Sequence, residues 1–171
     1  MFAMLGNGRL ALMLMLTTMA SWTQAAPNSE VLEYGYYEFV GEAQRLSSRK
    51  ATSGFVTRGD AKLVEQTDRI PIAPGRLFGF RFRFSGMNRN VGVMPLELVV
   101  EHPPMTKPDG TVSTGYRYFL ELAMKDGVVE DKTGYRLNEV YEQVEGEWRF
   151  VYRFMNKPIL EQRFITYWPE D

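Results

Sequence analysis

The sequence has no cysteine and a single histidine, His102, in 171 residues. The first absence excludes disulfides, thiolate metal sites, a cysteine nucleophile and a lipidated N-terminal cysteine. The second excludes a metal site built from several histidines of one chain. Neither sign of charge is in excess: 20 Lys and Arg stand against 21 Asp and Glu, a formal net charge of −1. Such a chain has no global field to draw it to nucleic acid or to an anionic membrane. Past the N-terminal segment there is no second run of about 18 apolar residues, so no membrane span is predicted there. There is no internal repeat, low-complexity tract or linker. Gly54, Gly59, Gly75, Gly79 and Gly92 do not form a phosphate loop, which needs a following helix. No cofactor is predicted.

What is present is apolar and aromatic: 44% hydrophobic and 13% aromatic residues supply a packed core, and the length fits one domain. The N-terminus reads as an address. Arg9 precedes an uncharged run over Leu10–Ala20, shorter than the roughly 20 residues a spanning helix needs. Thr23 and Ala25 are small residues at the spacing of a signal-peptidase site. Residues 1–25 are predicted to be a signal peptide and 26–171 a single exported domain, periplasmic or secreted.

The remaining pattern is strand-like, with period two and frequent Gly, Pro and Asn breaks. Strands are predicted at Leu32–Glu42, within Phe55–Thr57 and Lys62–Ile72, and at Arg76–Ser85, Val93–Glu101 and Tyr116–Ala123. Residues 45–54 read as a loop, and 137–144 fit either a strand or a helical turn. Trp148–Met155 and Ile159–Tyr167 alternate around Asn156-Lys157, which predicts a β-hairpin. About seven short strands argue for an all-β, immunoglobulin-like Greek-key sandwich, with a β-barrel as the alternative.

One stretch decides how the faces are used. Residues 78–86 read FGFRFRFSG, so Phe78, Phe80, Phe82 and Phe84 share one side of a strand and Arg81 and Arg83 the other. Trp148, Phe150, Tyr152 and Phe154 divide in the same way from Arg149 and Arg153. A nucleic-acid surface would carry aromatics and arginines on the same side. Here the aromatics, each covering ~150–250 Å², are predicted to form the core. Arg81, Arg83, Arg149, Arg153 and Arg163 are predicted to pair across strands with Glu97, Glu101, Glu121, Glu147 and Glu161.

Candidate chemistry is sparse. His102 follows a strand, where binding groups often sit, and with a carboxylate it would suit a general base. The competing role is structural, and the absence of a second catalytic element favours it. Ser85 and Ser113 lack a nucleophile frame such as G-x-S-x-G. Asp109, Glu101 and Asp126 lack the ordered spacing of a calcium loop, and Lys107-Pro108-Asp109-Gly110 is first a turn. Tyr34, Tyr36 and Tyr37 offer an aromatic patch in which one of Tyr36 and Tyr37 faces solvent. The first strand is also a candidate docking edge.

Thr67-Asp68-Arg69-Ile70-Pro71, Phe78-Gly79-Phe80, His102-Pro103-Pro104, Lys107-Pro108-Asp109-Gly110, Gly146-Glu147-Trp148 and Gln162-Arg163-Phe164, in this order, resemble the bacterial domain-of-unknown-function family 3859. The resemblance implies a small exported single-domain protein, and it implies no activity, substrate or catalytic residue. The final Gly-x-Trp hairpin is similar to the closing strands of bacterial immunoglobulin-like modules. The reading is a non-enzymatic envelope module that binds a protein or a glycan. Its candidate binding residues are His102, Lys107, Asp109 and Tyr36, with 45–54 and 102–110 as the loops of interest. A weak hydrolase using His102, and a purely structural or stress-related envelope protein, are the alternatives.

Overall fold

The computed structural model describes residues 26–48, 52 and 54–170. The expected signal peptide, 1–25, and part of the loop at 45–54 lie outside the described residues. Eleven strands and one 3₁₀ turn are described. The strands are β1 (Asn28–Phe39), β2 (Gln44–Ser47), β3 (Phe55–Arg58), β4 (Ala61–Glu65), β5 (Arg69–Pro71), β6 (Leu77–Ser85), β7 (Val93–Thr106), β8 (Val112–Ala123), β9 (Val129–Arg136), β10 (Gly146–Phe154) and β11 (Lys157–Tyr167). The turn, Val140–Glu142, settles the ambiguous segment before the hairpin. No described helix is long and apolar enough to cross a membrane.

One sheet has the order β4-β1-β6-β9 and the other β5-β11-β10-β7-β8, with β2 and β3 forming a separate two-stranded arm. Neither sheet closes on itself, so the architecture is a sandwich rather than a barrel. β6 and β10 lie inside their sheets, and their aromatic sides meet. Phe78 packs edge-on to Trp148 at 5.1 Å between ring centroids, Phe80 to Phe150 at 5.8 Å, and Phe82 lies 4.6 Å from Tyr152. Phe78, Phe80, Phe82, Phe84, Trp148 and Phe150 are all buried, as the alternation predicts. Leu96, Leu98 and Val100 of β7 and Phe164 of β11 complete the core.

The charged sides face outward. Arg149 reaches Glu101 at 3.0 Å and Glu161 at 2.8 Å; Arg163 reaches Glu147 at 3.1 Å and Glu161 at 2.7 Å. These pairs follow from the register Arg149↔Glu101 and Arg149↔Arg163 in the five-stranded sheet. Hydrogen bonds from Arg149 and then Arg163 hold the Glu161 carboxyl down at about 2. Arg81 and Arg83 differ from expectation. β6 belongs to the other sheet, so their partners are Glu33, Glu30 and Glu130 of β1 and β9. Alternation assigns a side chain to a face, but it does not say which strands adjoin.

Two further differences have local causes. β7 does not stop at Glu101; it runs to Thr106, and an irregularity in its register with β8 between Glu101 and Met105 absorbs His102-Pro103-Pro104. β1 is not a free edge throughout, because β4 pairs with it over Tyr36–Phe39.

Phe80→Ala should cost ~3–5 kcal/mol in urea denaturation, since it opens the centre of the inter-sheet contact. Arg163→Ala should move the midpoint far less, because its partners remain solvated.

Candidate functional site

His102 lies on the inward side of β7 and is 5% exposed. Its Nδ1 is 2.8 Å from the Pro103 carbonyl oxygen. A carbonyl only accepts, so Nδ1 carries the proton and Nε2 is the bare nitrogen. Nε2 therefore accepts from the Thr52 hydroxyl at 3.2 Å, with the Ser113 hydroxyl at 3.4 Å. Thr52 belongs to the segment 45–54, so the two loops singled out from the sequence meet through this histidine. Burial lowers the imidazole below its ordinary value of 6.5; the Pro103 carbonyl opposes this and the Lys107 charge adds to it. The ring also packs against Trp148 at 5.0 Å. Among the described residues no carboxylate hydrogen-bonds to His102. The geometry is that of a neutral strut between β7 and the Thr52 segment.

The strut adjoins a second buried polar group that the sequence reading missed. Glu142, fully buried, accepts from the Tyr135 hydroxyl at 2.5 Å and from the backbone N–H groups of Asn138 and Glu139 at 2.8 Å each. Tyr135 in turn lies 4.6 Å from Trp148. The indole N–H of Trp148 donates to Thr166, which donates to the Val144 carbonyl. The visible signal is Glu139-x-x-Glu142, the spacing of a capping box. These groups satisfy one another and plug one end of the sandwich.

Lys107 and Asp109 sit in the turn between β7 and β8. Asp109 accepts from the backbone N–H and the hydroxyl of Thr111, at 2.9 and 2.6 Å. These hydrogen bonds lower its pKa. Gly110 takes φ +82°, a left-handed conformation that suits glycine in this turn. Tyr36 is elsewhere: its hydroxyl donates to Glu65 at 2.8 Å, and the Arg76 guanidinium covers its ring at 4.5 Å. The four candidate residues therefore do not form one site. No described group of His, Asp and Glu is arranged to hold a metal.

A concavity lies on the outer side of the four-stranded sheet. Gly79 of β6 pairs with Gly134 of β9. A Cβ on Gly79 would stand 2.1 Å from the Thr133 carbonyl oxygen, and one on Gly134 2.4 Å from that of Phe78. Only glycine fits this approach, and it leaves the centre of the sheet bare of side chains. A groove of about 1050 Å³ results, walled by Glu33, Tyr37, Leu77, Arg81 and Lys132 and rimmed by 57–60. Glu33 is held by Tyr37, whose hydroxyl donates at 3.5 Å, and by Arg81 at 3.5 Å. Burial and Glu33 raise the Tyr37 pKa far above the phenol range, so its hydroxyl stays a donor. Mid-strand glycine was the available signal for the groove, since it marks a close backbone approach.

The motif resemblance extends to a match over most of the chain: residues 25–165 match the family described as Domain of unknown function (DUF3859). The chain belongs to this family. Among solved structures it is similar to an immunoglobulin-like protein from Pseudomonas aeruginosa, at 24% identity and a TM-score of 0.56, covering 85% of this chain and 99% of that one. This likeness carries the fold alone. No curated protein matches the chain. The chain is thus an immunoglobulin-like β-sandwich that belongs to a family described as of unknown function.

His102 gives a pH test. The unfolded imidazole takes its proton near 6.5, and the folded one only at lower pH, so protonation favours the unfolded chain. Its stabilising contribution is complete above 6.5 and declines as pH falls through the folded value. Denaturant titrations on either side of 6.5 should show a larger loss for the wild type than for His102→Gln; equal losses would refute the buried neutral strut.

Proposed function

We propose that the chain is an exported, non-enzymatic binding module of the cell envelope, and that its ligand is a glycan held in the groove over Gly79 and Gly134. The groove itself carries this reading. A glycan needs donors and acceptors together, with an aromatic group against its C–H surface. Tyr37, Glu33, Arg81 and Lys132 offer that combination around a bare backbone floor. Phe39 adds a second aromatic at the rim. Balanced charges disfavour nucleic acid as the occupant. His102, closed in by Thr52 and Pro103, supports the binding reading over hydrolysis.

The test is calorimetric titration with soluble fragments of envelope glycans. Saturable binding that weakens about tenfold or more in Tyr37→Ala and in Arg81→Ala, roughly 1.4 kcal/mol, is the expected result. His102→Gln and Asp109→Ala should bind as the wild type does. Affinity that depends on Asp109 or Lys107 and not on Tyr37 would move the site to the end of the sandwich. Turnover of a fragment, lost with His102, would replace binding by hydrolysis.

A further inference from the structure

β8 ends the five-stranded sheet. β7 pairs along one side of it, and no described strand hydrogen-bonds to the other. The strand is 12 residues long, VSTGYRYFLELA, and contains no proline. Such an edge presents a row of backbone donors and acceptors to any second strand, and most proteins blunt it with short length, proline or inward-pointing charge. β8 has none of these devices. Its outer side instead carries Arg117, Phe119 and Glu121 in succession. Phe119 is 74% exposed, among the most exposed of the large hydrophobic residues.

The order of these three residues has a symmetry property. An antiparallel copy of the strand, centred on Phe119, sets position 117 against 121 and 121 against 117. Each arginine then faces a glutamate, twice over, with the two aromatic rings adjacent at the axis. No other centre sets these two positions against each other. A centre on Arg117 or on Glu121 would oppose like charges. Arg117 is available for this: its side chain is 77% exposed and its contact to Glu97 is long, at 3.9 Å. Glu97 would keep Arg153 at 3.7 Å. Glu121 has no ion pair among the described residues. On the inner side, the same centre sets Tyr118 against Leu120 of the partner subunit, and both residues are half-buried.

We propose that a second copy of this chain pairs along β8, about a two-fold axis at Phe119, and joins the two five-stranded sheets into one. Such an interface is isologous and closes on itself, so it predicts a dimer and not a fibre. The backbone row and the two Phe119 rings supply attraction. The Arg117–Glu121 pairs fix the register, since like charges directly opposite on a sheet are unfavourable.

Charge reversal tests the proposal through sedimentation velocity of the purified chain, as its cells process it. The wild type should sediment as a dimer. Arg117→Glu and Glu121→Arg should each weaken the dimer by at least about tenfold. The double variant carrying both changes should recover it, because the pairing is merely exchanged. An equimolar mixture of the two single variants should form a mixed dimer, since each then meets an opposite charge. Phe119→Asp, an exposed change, should give a folded monomer whose melting temperature no longer depends on concentration and matches that of the wild type diluted until it dissociates. A monomeric wild type at every concentration would overturn the proposal. So would single variants that still dimerise, or single variants rescued neither by the double change nor by mixing.

Discussion

The rings of β6 meet the rings of β10 across the sandwich, and the rest of the molecule is arranged around that contact. Phe78, Phe80 and Phe82 sit opposite Trp148, Phe150 and Tyr152, mostly edge to face, the geometry that aromatic quadrupoles favour. Because both strands are interior to their sheets, the same contact fixes the distance between the sheets and their relative alignment. The charged sides of these strands then have only one place to go. Arg81 and Arg83 turn to water on one face and Arg149 and Arg153 on the other, and each finds carboxylates on neighbouring strands. With no disulfide available, the aromatic contact does the work of holding the two sheets together.

The alternation that predicts this core is legible because period two is a local property. GFRFRFSG and the strand around Trp148 state their own inward and outward sides, and the structure places them so. Adjacency is a different matter. Nothing in the neighbourhood of Arg83 says that Glu130, 47 residues away, lies beside it. β9 illustrates the limit further. Its sequence, VEDKTGYR, has little hydrophobic alternation, and the strand exists because β6 supplies a backbone partner along its length. β2 is similar, a short polar strand within a segment that reads as loop and pairs only with β3.

The candidate site was legible to a lesser degree for the same reason. His102 was visible as the only histidine, and its proximity to the 45–54 segment was not, since that contact joins residues 50 positions apart. Asp109 was readable as a turn residue and remains one. Alternation divides the tyrosine pair, with one member toward solvent. Tyr36 lies beneath Arg76, and it is Tyr37 that lines the outer groove. Gly79 and Gly134 were each visible as glycine inside a strand. That they oppose each other, and so open a groove, depends on the pairing of β6 with β9.

The placement of β11 bears on how the chain reaches this state. It lies between β10 and β5, and its pairing with β5 is parallel, joining Ile165 to Arg69 and Tyr167 to Pro71. The five-stranded sheet is therefore closed by a strand nearly a hundred residues downstream of its neighbour, and Phe164, carried on that strand, packs directly against Phe78. Contacts of such long sequence separation form late and slowly. During synthesis the aromatic side of β6 has only β5, β7 and β8 of the opposite layer to pack against until Trp148 and then Phe164 emerge. The core is thus complete only when almost all of the chain has been made, and the last strand to emerge is the one that seals it.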